Sequence, residues 1–149
     1  MAKIAMIGAG SLVFAKTLMN DFLGTPALAG SEYALMALTH KRLDKMHDFV
    51  SRMIRDNSVK ARATATTSRR EALKGADYVV VMIQVGGVDV FQNDYEVPMR
   101  YGVDNCIADT MGPGGVFRAL RHIPALLEVA QDMRELAPKA VLFNYANPM

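Results

Sequence analysis

The feature that most constrains this chain is a glycine turn between two differently patterned segments. An apolar run from Lys3 to Ile7 enters Gly8-Ala9-Gly10-Ser11, and Leu12, Ala15, Met19 and Phe22 then recur at helical spacing as far as Gly24. Short apolar runs of this kind suit strands, and spacings of three and four suit one face of a helix. Strand, tight turn and helix in that order put the turn at the carboxyl end of the first strand.

The same alternation continues. Tyr33 to Leu38 reads as a second strand, and Leu43, Met46, Val50, Met53 and Ile54 trace one helical face. Val59 to Thr66 alternates small apolar residues with Lys60, Arg62, Thr64 and Thr66, the pattern of a strand at the sheet margin. Ser68-Arg69-Arg70-Glu71 has capping-box spacing for a brief helix ending near Gly75. The β-branched run Tyr78 to Ile83 suits a strand covered on both faces. Gly86 to Gly102 reads as helix followed by loop, because Pro98 opposes a longer helix. Gly112-Pro113-Gly114-Gly115 marks a tight turn before a long helix through Phe117, Leu120, Ile123, Leu127, Ala130 and Met133, with a kink expected at Pro124. Ala140 to Tyr145 is a final apolar strand. Strands alternating with helices imply an α/β fold with a mainly parallel sheet, doubly wound and Rossmann-like, in three layers. A length of 149 residues fits one domain, read as residues 1–149.

Composition removes several function classes. The formal charge of +2 comes from 17 basic and 15 acidic residues, too even to indicate a nucleic-acid or membrane-surface partner. The longest strong apolar run, Val79 to Ile83, stops at Gln84, well short of the roughly 18 residues a spanning helix needs. The N-terminal apolar stretch breaks at Gly8, unlike a signal peptide, so the expected compartment is the cytoplasm. Cys106 is the one cysteine, which excludes disulfides and cysteine-rich zinc sites. It reads as a small buried residue. His47 and His122 lack ligand spacing to another His or Cys, and no metal site is assigned within the chain.

Ligands of open parallel sheets bind beyond the carboxyl ends of the strands. Residues without Cβ at Gly8 and Gly10 let the backbone turn sharply and approach a pyrophosphate, and a helix beginning near Ser11 would present free N–H groups and a positive dipole end. The third glycine of the usual fingerprint is replaced by Val13. An acid expected at the end of the second strand for the adenosine ribose is also absent, with Ala37 and Thr39 at the relevant positions and His40, Lys41 and Arg42 next. That substitution makes NADP compatible as well as NAD; equally, Lys41 and Arg42 would solvate the start of an amphipathic helix.

Several segments together resemble the NAD- and divalent-metal-dependent enzymes of glycoside hydrolase family 4, in particular its α-galactosidase branch. They are Ile7-Gly8-Ala9-Gly10-Ser11 with Phe14, Ala76 to Val81 leading to Gln84-Val85-Gly86-Gly87, Ile107 to Gly115, Arg118 to Pro124, and Asn144-Tyr145-Ala146-Asn147-Pro148-Met149. The resemblance implies hydrolysis by a redox route: bound NAD takes a hydride from sugar C3, C2–H is acidified, the aglycone is eliminated, and water addition and hydride return follow. This is a recognised exception to the two-carboxylate pattern of glycosidases.

Carried over by position, Gly8, Gly10, Ser11 and Phe14 are expected at the cofactor, Gly86 and Gly87 beneath it, and Asn147 at the sugar hydroxyls. Asp109 is expected at the sugar or near the metal, or else as a turn carboxylate capping Thr110 to Gly112. The family's metal ligands, its tyrosine base and its substrate domain have no counterpart here. A divalent metal such as manganese is therefore expected only in a full-length parent, and this chain is expected to be inactive alone. The alternatives are a stand-alone or engineered module that binds NAD or NADP without glycosidase activity, and a dehydrogenase of the lactate and malate type. Apolar surface left open by a missing domain leads us to expect a homo-oligomer.

Overall fold

The core begins with a strand whose every inward residue is apolar: β1 (Lys3–Ile7) carries Ile4, Ala5, Met6 and Ile7, all buried. A computed structural model describes residues 1–11, 13–105 and 110–146. After β1 come α1 (Phe14–Gly24), a short α2 (Pro26–Ala29), β2 (Glu32–Met36), α3 (His40–Asp56), β3 (Arg62–Thr66), α4 (Arg69–Leu73), β4 (Tyr78–Val81), α5 (Gly87–Met99), α6 (Gly112–Leu136) and β5 (Val141–Asn144).

The chain forms two compact units, one of Met1–Ile83 with Gln131–Tyr145 and one built on Gln84–Ala130. All five strands belong to the first unit. They pair in parallel in the order β3-β2-β1-β4-β5. The chain therefore winds outward from β1 in one direction, then returns to continue in the other. Right-handed crossovers place α1 and α3 over one face and α4 over the opposite face, which gives the expected three-layered, doubly wound arrangement.

Alternation along the strands divides the core. Ile4, Met6, Tyr33, Leu35 and Val80 face Ala15 and Met19 of α1 and Leu43, Met46 and Val50 of α3. Burying each of the larger side chains contributes roughly 1.5–3 kcal/mol. Toward the opposite end of the sheet the cover on this face thins. Ile4, Tyr78, Val80, Phe143 and Tyr145 line an open apolar hollow of about 370 Å³ walled by Leu18, Phe22 and Leu28.

The other face is tied by charge. Asp132, in the last turns of α6, accepts hydrogen bonds at 2.6 Å from both Arg69 Nε and Arg70 Nη1, and Glu135 takes Arg70 Nη2 at 2.7 Å. Burial raises the Asp132 carboxyl, but the two guanidinium hydrogen bonds outweigh it and hold the group below the usual carboxylate range. Ser68 caps α4 by accepting the Glu71 N–H. The reciprocal half of the capping box runs through a neighbour instead: Thr66 Oγ1 accepts from Ser68 N and donates to the Glu71 carboxylate.

Several sequence expectations are corrected. α1 begins at Phe14 rather than near Ser11, and β2 ends at Met36, leaving Leu38 85% exposed. Gly112 to Gly115 form the first turn of α6 rather than a turn before it, since Pro113 at that position has no intrahelical N–H bond to lose. α5 likewise extends to Met99 with Pro98 at its last turn. The long helix read through Pro124 is present as α6, with Pro124 inside it. The margin position of β3 is as expected. Among the described residues no helix is long and apolar enough to cross a membrane.

Gly8 sits at φ +95°, and a Cβ there would lie 2.5 Å from the Met82 carbonyl oxygen. Gly8→Ala is therefore expected to destabilise the chain by about 2 kcal/mol or more. Gly24→Ala, in open space at the end of α1, is expected to stabilise it by about 0.4–1 kcal/mol. Urea denaturation of both variants reads the contrast.

Candidate functional site

The exit turn of β1 is held from both sides. The N–H groups of Gly8 and Ala9 both donate to the Met36 carbonyl of β2, at 2.9 and 2.8 Å, and Met82 N–H after β4 donates to the Ile7 carbonyl at 2.9 Å. Gly10 continues the packing: a Cβ there would meet the Cβ atoms of Ala37 and Arg42 at 3.3 Å. The turn is thus fixed by its neighbours before any ligand is considered.

Its remaining donors can be identified one by one. Ser11 N–H donates to Gly8 O, Phe14 N–H to Ser11 Oγ at 3.3 Å, and Ala15 N–H to Ser11 O. Among the described residues, the N–H groups of Gly10 and Val13 have no backbone acceptor. Among the described residues these two amides are what the loop itself can offer an anion. An anion at the amino end of α1 would also meet the favourable end of the helix dipole. The turn therefore fits a diphosphate by its free donors and its lack of Cβ bulk. Phe14 is half exposed and stands edge-on to Tyr145, with ring centroids 5.8 Å apart.

The second strand ends without an acid. Ala37 is 8% exposed beside Gly10, while Thr39 is exposed at the amino end of α3 and makes no side-chain cap. The first turn of α3 holds no acidic residue, and His40 pairs with Asp44 at 3.4 Å.

In the second unit, Gly86 adopts φ +85° at the start of α5, and a Cβ would lie 2.7 Å from Val90 Cβ. Gly87, also at positive φ, has nothing within 4 Å of its would-be Cβ, so its backbone is open to approach. Two features of this unit escaped the sequence reading. Asp94, 1% exposed, is gripped by Arg121 through two bonds of 2.7 and 2.5 Å. That hydrogen bonding raises the Arg121 guanidinium above its usual range. His122, fully buried, bonds at both ring nitrogens, to Val85 N–H and to the Arg118 carbonyl. The i−4 spacing of Arg118 and His122 was visible in the sequence, but nothing local announced Val85 or Asp94 as partners.

Asp109 and Asn147, the residues expected at the sugar, lie outside the described residues, as do Cys106 and Pro148.

A parallel sheet wound both ways from a glycine turn at the end of its first strand defines a Rossmann-like domain. The sequence profile of family 4 glycosyl hydrolases matches residues 3–149. The α-galactosidase of Rhizobium meliloti is 43% identical over 148 residues, covering 99% of this chain and 30% of that protein. The Bacillus subtilis α-galactosidase is 43% identical over 150 residues, covering 100% of this chain and 35% of that protein. The 6-phospho-beta glucosidase of Thermotoga maritima, solved with manganese, NAD+ and glucose-6-phosphate, superposes with a TM-score of 0.86 at 27% identity, over 97% of this chain and 34% of that one. The chain belongs to glycosyl hydrolase family 4. It spans about a third of the length of the curated relatives it matches.

Removing Asp94 would leave the Arg121 guanidinium without its carboxylate. Asp94→Ala is expected to cost about 3 kcal/mol in urea denaturation, whereas the double change Asp94→Leu with Arg121→Met is expected to recover most of that loss.

Proposed function

We propose that this chain is the NAD-binding portion of an α-galactosidase-like family 4 glycosidase. The observation that carries the reading is the β1 exit turn, where Gly8 is required by its packing, Gly10 sits in close contact with Ala37 and Arg42, and among the described residues the Gly10 and Val13 amides have no backbone acceptor. The family match over residues 3–149 and the 43% identity to two α-galactosidases support it over a stand-alone module. NAD, when bound, supplies acceptance of a hydride from the sugar and its later return.

The chain's own part is to bind and orient. Gly8 holds the turn, Gly10 and Ser11 bring backbone and hydroxyl toward the diphosphate, and Phe14 places an aromatic edge at the start of α1. Gly86 and Gly87 are proposed as a second backbone surface against the cofactor, and the openness around Gly87 supports that. Asp109 and Asn147 are proposed as sugar contacts on the family resemblance alone. On this reading residues 1–149 form the dinucleotide-binding part, the metal and substrate residues belong to a further domain, and the isolated chain has no glycosidase activity. A cytoplasmic setting is part of the proposal, in keeping with the use of NAD.

The end of β2 tunes this reading. Without a carboxylate at Ala37 the adenosine ribose loses a charged acceptor, and NAD affinity should be weak. Calorimetric titration is expected to show saturable NAD binding that Ala37→Asp tightens about tenfold, roughly 1.4 kcal/mol, while NADP binding weakens. An Ala37→Asp variant with unchanged NAD affinity would remove the ribose from that position, and tight NADP with negligible NAD binding would replace NAD by NADP.

We also propose that the isolated chain self-associates through exposed apolar surface along β5, where Val141 and Phe143 are each 50% exposed. Sedimentation is expected to show dimers or larger species as concentration rises. A monomer throughout would refute it.

A further inference from the structure

His122 is the one fully buried histidine of the second unit, and both of its ring nitrogens have partners of fixed character. Nδ1 lies 3.0 Å from the Arg118 carbonyl, which can only accept, so Nδ1 must carry the proton. Nε2 lies 3.2 Å from the Val85 N–H, which can only donate, so Nε2 must present its lone pair. One protonation state satisfies both: the neutral ring with its proton on Nδ1.

The location of that bond gives it a role. Val85 immediately precedes Gly86, which turns the chain at positive φ into α5 with no side-chain cap of its own. The His122 ring anchors that turn to α6. We propose that His122 is a positioning residue that sets the Val85-Gly86-Gly87 backbone for the dinucleotide by accepting the Val85 N–H. The proposal rests on the reading above, in which that turn meets the cofactor.

The surroundings favour the neutral ring. Arg118 and Arg121 on α6 oppose a positive imidazole, and Asp94 from α5, which would favour one, is engaged by Arg121. Burial is the largest influence, and together these hold the imidazole below its usual pKa. A second proton would set an N–H against the Val85 N–H and release the turn. The same depression means that folding stability conferred by the neutral ring is fully present above the ordinary histidine pKa and is lost as pH falls through the lowered one.

The test compares the wild-type chain with His122→Gln, whose amide oxygen can reach the Nε2 position, and His122→Asn, which keeps a donor near Nδ1 but loses the distant acceptor. Nitrogen-15 NMR of the imidazole is expected to show the Nδ1–H tautomer, with the Val85 amide protected from exchange in wild type and Gln but not in Asn. NAD titrations are expected to give a loss of about tenfold for Asn and less than about threefold for Gln, the difference being one backbone hydrogen bond. Wild-type affinity is expected to fall in acid, while the Gln variant stays flat. An Nε2–H tautomer, an Asn variant that binds like wild type, or superimposable wild-type and Gln pH profiles would overturn the proposal. Absence of NAD binding by the wild type would instead sink the cofactor reading and the positioning role with it, while Val85 exchange would still report whether the anchor exists.

Discussion

The carbonyl oxygen of Met36 organises the first unit. By accepting from both Gly8 and Ala9 it pins the exit of β1 to the end of β2, and Met82 N–H pins the same exit to the end of β4. Three neighbouring strands are thus brought level at their carboxyl ends, where the direction of winding reverses. Gly8 is the one residue type that fits, because any side chain would meet the Met82 carbonyl. The turn's geometry therefore comes from the sheet, and a ligand would find its binding backbone already ordered, which reduces the entropy lost on binding.

This changes the meaning of the glycine motif. Read as sequence, Gly8 and Gly10 are places where backbone can approach a phosphate. In the structure Gly8 spends its N–H on Met36, and Gly10 makes room for Ala37 and Arg42. The glycines serve sheet packing first, and the anion is left the donors that packing does not consume. Ala37 matters for the same reason: it lies against Gly10, so a carboxylate there would stand beside the turn, whereas Thr39 is already on the exposed start of α3.

What the sequence disclosed follows from the range of the interactions. Strands β1, β2 and β4 and helices α1 and α3 were legible because burial on both faces gives unbroken apolar runs such as Ile4 to Ile7 and Tyr33 to Met36, and burial on one face gives the helical spacing of Leu43, Met46 and Val50. Boundaries were less legible where a residue plays against its usual habit. Leu38 continues an apolar run yet is exposed, and Gly112-Pro113-Gly114-Gly115 resembles a turn yet opens a helix, because the first turn is where missing N–H groups cost least. Partnerships across long separations left no local trace. Nothing near Asp132 foretells Arg69 and Arg70, and nothing near Asp94 foretells Arg121.

His122 shows how such a hidden partnership bears on function. Counted by ligand spacing it is an isolated histidine in a long helix, and the metal question exhausts it. Counted by hydrogen-bond character, it is a group whose one neutral form satisfies a donor and an acceptor at once, in a place where an unsatisfied Val85 N–H would be costly. The first unit fixes its glycine turn with backbone carbonyls, which do not titrate. The second fixes its turn with an imidazole, which does. Two glycine turns of similar appearance in the sequence thus differ in kind, and only the one held by His122 can be loosened by a proton.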